Sequence, residues 1–338
     1  MIWLGWSVGC GGPMEDHPPN DIGVIDSDPV VEDDAEEGQT APSLPAETPA
    51  PAHEEGTQES GSAPTPQLDA DGVVMLFPSN PNGASWSLGA RNPNTVDSAY
   101  FDLNGDSATA GSANGISYWT TTGHKVSYAS GAPDGVTIRL NIKASGGSQR
   151  YTWRNGGPTN GYLGNARDLK NVEATVYARV NHFNNTHDSM TWKLRGGKHS
   201  SSNAALSSCV GMGVPYGGEA PTAAREFDHP SYDNVKLTPK FPYQLQAGRW
   251  VGVKVVSYNI PGGAKNLLYL DTDPFDASGK PRNNFRLYTE WVDKEGVSTG
   301  RYNRAATWGG WVTTFRVDGW RRLDFTRLSA REILPPAQ

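Results

Sequence analysis

Gly135-Val-Thr-Ile-Arg-Leu-Asn-Ile-Lys143 alternates strictly: Val136, Ile138, Leu140 and Ile142 share one face, and Thr137, Arg139, Asn141 and Lys143 share the other. Successive side chains of a strand point to opposite sides, so this stretch reads as a strand with one apolar face. Glu173-Ala-Thr-Val-Tyr-Ala-Arg-Val180 repeats the pattern, with Ala174, Val176, Ala178 and Val180 inward and Glu173, Thr175, Tyr177 and Arg179 outward. Further strand-like runs cover 190–194, 208–214, 250–258, 266–270, 285–292, 312–317 and 323–333. Gly, Asn and Pro punctuate them, and no stretch carries helical periodicity or a repeat of fixed period. Many strands with one apolar face predict two stacked antiparallel sheets, an all-β sandwich of jelly-roll type.

Working outward, order is expected to begin at Gly72-Val-Val-Met-Leu-Phe77, giving a domain over 72–338. Residues 11–71 are Pro, Ala, Thr, Ser, Glu and Asp with almost no aromatics, as in Asp-Asp-Ala-Glu-Glu at 33–37. Such a composition cannot bury enough apolar surface to offset chain entropy and reads as a disordered, extended tether. The charge breaks at the same place. Residues 1–90 hold sixteen Asp and Glu and no Lys or Arg, so all 29 cations and the other 20 acids fall in 91–338, net +9 against −7 for the whole chain. A basic body on an acidic tether favours polyanionic partners.

Ser7-Val-Gly-Cys10 fits the small-residue pattern before a lipidated cysteine, which makes residues 1–10 the end of a bacterial lipoprotein signal. Nine residues without a basic group precede Cys10, so a full signal would extend upstream of Met1. The expectation is a monomer anchored through Cys10 at an outer membrane or cell surface. That location argues against nucleic acid as the polyanion. With only Cys10 and Cys209, no disulfide framework is expected, and Cys209 reads as a small buried residue.

The chemistry concentrates in two clusters. In Thr191-Trp-Lys-Leu-Arg-Gly-Gly-Lys-His-Ser200, alternation places Lys193 and Arg195 on the polar face, with Lys198 and His199 at the edge of a Gly-Gly turn. Arg225-Glu-Phe-Asp-His-Pro-Ser-Tyr232 adds Arg225, His229 and Tyr232. These are the parts of a polysaccharide lyase. Arg195 and Lys193 would neutralise a uronate carboxylate, His199 or His229 would remove the C5 proton, and Tyr232 would protonate the leaving oxygen. Tyr177, Arg179, Lys198 and Arg225 would bind the acidic polysaccharide. The plainer alternatives are a carbohydrate-binding module using the same basic, aromatic face, or a surface protein whose cations merely solvate it.

Other chemistries find less support. Retaining glycosidases need paired carboxylates on one strand face. The nearest pair here, in Glu290-Trp-Val-Asp293, falls on opposite faces. Asp102-Leu-Asn-Gly-Asp106 alternates Asp102, Asn104 and Asp106 as oxygen ligands around a Gly turn, which suits a structural Ca²⁺ as well as ordinary turn chemistry. His182 and His187 have no partners at zinc-ligand spacing. No phosphate-binding Gly loop and no Gly-x-Ser-x-Gly elbow occur.

Lys170-Asn-Val-Glu-Ala-Thr-Val-Tyr177, Leu194-Arg-Gly-Gly-Lys-His199, Thr307-Trp-Gly-Gly-Trp-Val-Thr-Thr-Phe-Arg316 and Leu323-Asp-Phe-Thr-Arg-Leu-Ser-Ala-Arg-Glu-Ile333 are similar to segments of microbial proteins. Those proteins resemble the concanavalin A-like jelly-roll group, which includes alginate and glucuronan lyases. The resemblance spans most of 150–335 and implies the same sandwich and an activity on acidic polysaccharide. The alginate-lyase signatures Arg-x-Glu-x-Arg, Gln-Ile-His and Tyr-x-Lys-x-Gly-x-Tyr are not present.

Overall fold

Every regular element described is a strand. The computed structural model describes residues 66–126, 135–143, 152–153, 162–163, 169–183, 189–196, 209–216, 219–228, 231–297 and 303–337. In chain order the first strands are β1 (Ser85–Ser87), β2 (Phe101–Asp102), β3 (Ala108–Ala113), β4 (Ile116–Thr122), β5 (His124–Val126), β6 (Gly135–Lys143), β7 (Thr152–Trp153), β8 (Tyr162–Leu163) and β9 (Val172–Phe183). There follow β10 (Ser189–Gly196), β11 (Cys209–Pro215), β12 (Thr222–Asp228), β13 (Ser231–Lys236), β14 (Trp250–Ile260), β15 (Gly263–Asp271), β16 (Arg286–Lys294), β17 (Val312–Asp318) and β18 (Trp320–Glu332). They belong to one unit, residues 63–338.

Two antiparallel sheets stack face to face, as the alternating pattern requires. One runs β16-β15-β14-β9-β18-β4-β3 with β1 added to β18; the other runs β13-β12-β11-β10-β17-β6-β2 with β5 added to β6. Strands distant in sequence lie side by side: β17 separates β6 from β10, and β18 lies between β9 and β4. Ile138, Leu140 and Ile142 of β6 and Ala174, Val176, Ala178 and Val180 of β9 meet in a single core, as their alternation predicts. Trp192 and Trp320 are fully buried in it. Each such large side chain stabilises the sandwich by roughly 1.5–3 kcal/mol. Trp192 also donates from Nε1 to the Val253 carbonyl of the facing sheet at 3.2 Å, so a polar bond joins the layers.

The expectation of an exposed polar face on β9 is corrected. Glu173, Thr175 and Tyr177 are buried because other chain segments lie over that side. Residues 67–79 form one strap: the Leu76 and Phe77 amides donate to the Glu173 carboxylate at 3.1 and 3.2 Å. Lys254 Nζ and Arg331 Nη2 donate to the same carboxylate at 2.6 and 2.8 Å. Asn283, in the 271–285 loop, ties that loop to the strap by accepting from the Val74 amide and donating to the Gly72 carbonyl. A buried carboxylate is tolerated here because two cations and backbone donors satisfy it. Residues 66–71, read as tether, are already bonded to the body: Met75 N donates to the Gln67 carbonyl, and Leu68 bridges Val74. The tether before them and the anchor at Cys10 lie outside the described residues.

Candidate functional site

The outer face of the second sheet carries the chemistry. With β6, β17, β10, β11, β12 and β13 adjacent, side chains at paired positions form rows across the strands. One row is Asn141, Thr314, Lys193, Gly211, Ala224 and Asn234. The next begins with Arg139 and Arg316 and continues through Thr191, Gly213 and Thr222. Over most of this floor lies an open cleft of about 640 Å³, bounded by Lys193, Cys209, Glu226, Tyr232, Arg316 and Asp318 among others.

Its centre is a cation, an acid and a phenol. Lys193 Nζ donates to Glu226 Oε2 at 2.6 Å and to Tyr232 Oη at 3.0 Å, and it stands 5.0 Å from the Tyr232 ring centre. The Cys209 thiol donates to the same Glu226 oxygen at 3.3 Å. Burial alone would push the Lys193 ammonium down, but Cys209, Glu226 and Tyr232 around it raise it above its ordinary value. Burial raises the Tyr232 phenol and the Cys209 thiol. At neutral pH Lys193 is therefore an ammonium beside a neutral phenol and a neutral thiol.

Beside it stand two arginines with like charge. Arg139 and Arg316 are direct cross-strand partners, an arrangement that destabilises a sheet. Arg316 is neutralised by Asp318, with Nε to Oδ2 at 2.7 Å. Arg139 has no such partner among the described residues: it is 9% exposed and its Nε meets no acceptor. Burial, and next the charge of Arg316, push its guanidinium below the ordinary value. Sequence alternation had put Arg139 on the polar face without marking it; only its neighbour on β17 reveals an uncompensated charge.

The structure unites some of the expected site residues and separates others. Lys193 and Tyr232 come together as expected. Arg195 does not join them. The β10–β17 register shifts between Lys193 and Gly196, and Arg195 adopts φ +55°, which turns its side chain into the interior. There Nε donates to Ser257 at 2.8 Å and Nη1 to Asn259 and to the Trp308 carbonyl at 2.6 and 3.2 Å. Gly310 lies so close to the Arg195–Gly196 backbone that a Cβ would approach it to 2.1 Å, so the 309–310 turn seats this bulge.

Arg225 also points inward, between Ala223 and Phe227, and pairs with Asp293 of the facing sheet. Tyr177 and Arg179 lie on the outer face of the other sheet. Tyr177 packs against Phe275 with ring centres 5.0 Å apart. Arg179 lies between the Tyr118 and Trp250 rings and holds Asp324 at 2.8 Å. The expected cleft roles of Arg195, Arg225, Tyr177 and Arg179 are thus corrected. Trp308 and Trp311 are buried rather than presented to a ligand. Lys198, His199 and His229 lie outside the described residues.

The Asp102 loop works as a turn. Asp102 Oδ1 accepts from the Asn104 amide and from Asn141 at 2.9 and 2.8 Å, while Oδ2 pairs with Lys143 at 2.6 Å. Asn104 and Gly105 take positive φ, as a tight turn requires. The chain's own donors hold the carboxylate, and among the described residues no cluster of three His, Cys, Asp or Glu is placed to hold a metal. Burial would raise the Asp102 carboxyl, but Lys143, Asn141 and the Asn104 amide hold it below its ordinary value. Its contribution is then present above the unfolded value near ~3.9 and lost as pH falls through the lower folded value. Asp102→Asn should cost about 1–2 kcal/mol at pH 7. Thermal melts of variant and parent should converge in acid; a gap that persists at low pH would count against this pairing.

Fold and site together define an all-β sandwich with a cation-lined cleft across one sheet. No protein-family profile and no curated protein matches the chain. Among solved structures, an alginate lyase from Chlorella virus is similar at 9% identity and TM-score 0.37, over 73% of this chain and 98% of that one. Winged bean acidic lectin, solved with methyl-α-D-galactose, aligns at 12% identity and TM-score 0.37, covering 73% and 96%. Lectin II from Ulex europaeus aligns at 12% and 0.35, covering 74% and 98%. Likenesses this distant name neither a family nor an activity, so function rests on the cleft itself.

Proposed function

We propose that the cleft binds an acidic, uronate-containing polysaccharide and cleaves it by β-elimination. The observation that carries this reading is Arg139, a nearly buried guanidinium with no counterion among the described residues, whose cross-strand partner Arg316 lines the cleft together with Lys193 and Tyr232. A free guanidinium suits a carboxylate, which it grips with two parallel bonds. Neutralising that carboxylate acidifies the neighbouring C5 proton. Removal of the proton forms the C4=C5 double bond as the C4–O bond breaks, and the departing oxygen takes a proton. Tyr232, kept neutral by burial and contacted by Lys193, supplies that proton. His199 or His229 takes the C5 proton in this scheme. In place of Arg195, Arg139 neutralises the carboxylate.

A second reading, binding without cleavage, is favoured by one feature: Lys193 is held protonated by its surroundings and Tyr232 neutral, so neither offers a ready base. Ultraviolet absorbance of the full chain with alginate, glucuronan, pectate and glycosaminoglycans separates the two. Rising absorbance, abolished in Tyr232→Phe, establishes elimination. A flat trace with retention of the glycan in gels leaves a binding module. Because Lys193 and Tyr232 both titrate above their ordinary values, glycan affinity should be flat from about pH 6 to 9 and fall near pH 4 as uronates protonate. A midpoint near neutrality would point to an imidazole in the binding step instead.

In this proposal a lipid on Cys10 and the tether hold the cleft at the cell surface. Intact-mass measurement of the native protein checks it, since an unmodified Met1 would remove the anchor.

A further inference from the structure

Behind the bulge that follows Lys193, Arg195 leaves a surplus of hydrogen-bond donors between the sheets. Its side chain is fully buried and forms no ion pair with a described residue. A guanidinium carries five N–H donors and no acceptor. Nε donates to Ser257 Oγ at 2.8 Å, and Nη1 donates to Asn259 Oδ1 and to the Trp308 carbonyl. Nη2 is buried and meets no acceptor among the described residues.

Ser257 passes the surplus on. Because it accepts from an arginine, its own proton must go elsewhere, and it goes to Asn266 Oδ1 at 2.8 Å. That bond fixes the Asn266 amide with its oxygen toward Ser257. Its Nδ2, also buried, then meets no acceptor among the described residues. Asn266 is the cross-strand partner of Ser257 on β15 and is likewise fully buried. Two open donors therefore flank one buried hydroxyl.

Charge is unbalanced at the same place. Burial pushes the Arg195 guanidinium down to about 9, and Asp293 is the charge that opposes this. Asp293 is already engaged by Arg225 and by the Ala306 amide. Arg195 is still a cation at neutral pH, and a buried charge without a counterion is costly. Water would satisfy the donors but not the charge, and it would bring two protons of its own. The acceptors nearby, Asn259 Oδ1, Asn266 Oδ1 and the Trp308 carbonyl, each already take a bond. A monatomic anion supplies both an acceptor and a charge, and it is small enough for a site made by fully buried side chains.

We propose that Arg195 Nη2 and Asn266 Nδ2 bind a small inorganic anion, chloride, between the two sheets. The site is separate from the cleft and does not depend on what the cleft binds. Thermal melts of the full chain in sodium chloride and in sodium gluconate, at equal ionic strength, test it. Chloride should raise the melting temperature by about 3 °C and saturate, while gluconate, too large to enter, should not. Equal melting temperatures in the two salts overturn the inference and leave water as the acceptor.

Asn266→Asp localises the effect. Its second carboxylate oxygen stands where Nδ2 was and gives Arg195 a counterion of its own, so the variant should melt at the same temperature in both salts. A chloride effect that persists in Asn266→Asp places the ion elsewhere and overturns the assignment. Crystals of the full chain soaked in bromide locate the ion without a variant. An anomalous peak beside Arg195 Nη2 and Asn266 Nδ2 is expected, and peaks confined to the surface overturn the inference even where Asn266→Asp does not fold.

Discussion

Asp293→Ala should lower the melting temperature by about 10 °C, corresponding to a loss of ~3–5 kcal/mol. Asp293 is fully buried and accepts from Arg225 Nε at 2.8 Å, while its second oxygen accepts from the Ala306 amide at 2.9 Å. It is also the carboxylate whose charge favours the buried Arg195 guanidinium, which otherwise contacts only neutral groups. Removing it takes the carboxylate away from two buried cations between the sheets. The cost should come from those stranded charges rather than from lost packing, so Arg225→Met combined with Asp293→Leu should recover much of the stability. A melt within a degree or two of the parent for Asp293→Ala would show that the pair is not what joins this end of the sandwich.

Arg139→Met should have the opposite effect on stability. Its side chain is almost buried, has no ion-pair partner among the described residues, and is opposed across the strand by Arg316. Replacing it with an apolar chain of similar reach removes a like-charge contact and an uncompensated buried charge, which should stabilise the fold by about 1 kcal/mol. Acidic-glycan affinity should fall about a hundredfold, the usual scale for deleting one partner of a buried charge pair. Stability gained as function is lost is the signature of a residue kept for its ligand. If the melting temperature drops and affinity is untouched, Arg139 is a structural residue and the cleft loses its main binding group.

The strand content was legible from alternation, because side-chain direction is decided by the residue's own backbone. Ile138, Leu140 and Ile142, and likewise Val176 and Val180, lie in the core as their spacing required. Glu290 and Asp293 fall on opposite sides as their odd separation implied: Glu290 bonds Lys240 and Lys265 near the surface, while Asp293 is buried. The β12–β13 hairpin was harder to see, because Arg225 to Tyr232 reads as a loop rich in charge and carries no clean apolar face. Its register even shifts between Arg225 and Asp228.

The site was legible only in part. Lys193 and Tyr232 could be singled out by residue type, and they do meet. Arg195 escaped because one bulge reverses the side to which it points, and a bulge depends on the partner strand and on the turn that seats it. Arg225 escaped because its counterion, Asp293, lies 68 positions away. Arg139 escaped for the converse reason: its significance is the lack of a counterion among the described residues, which no sequence pattern records.

Sequence by itself determined which residues share a face, since the two-residue period is a local property of extended backbone. It also determined where apolar faces must be buried and where charge collects along the chain. Only the tertiary structure decided which polar face becomes a cleft and which is covered. On β9, the strap at 67–79 and the loop at 271–285 close over Glu173 and Tyr177. On β10 and β17, the polar side chains of Thr191, Lys193, Arg316 and Asp318 instead line an open cleft. The two faces look alike in sequence; what separates them is the long-range order of strands and coverings, which is set by packing among segments distant along the chain.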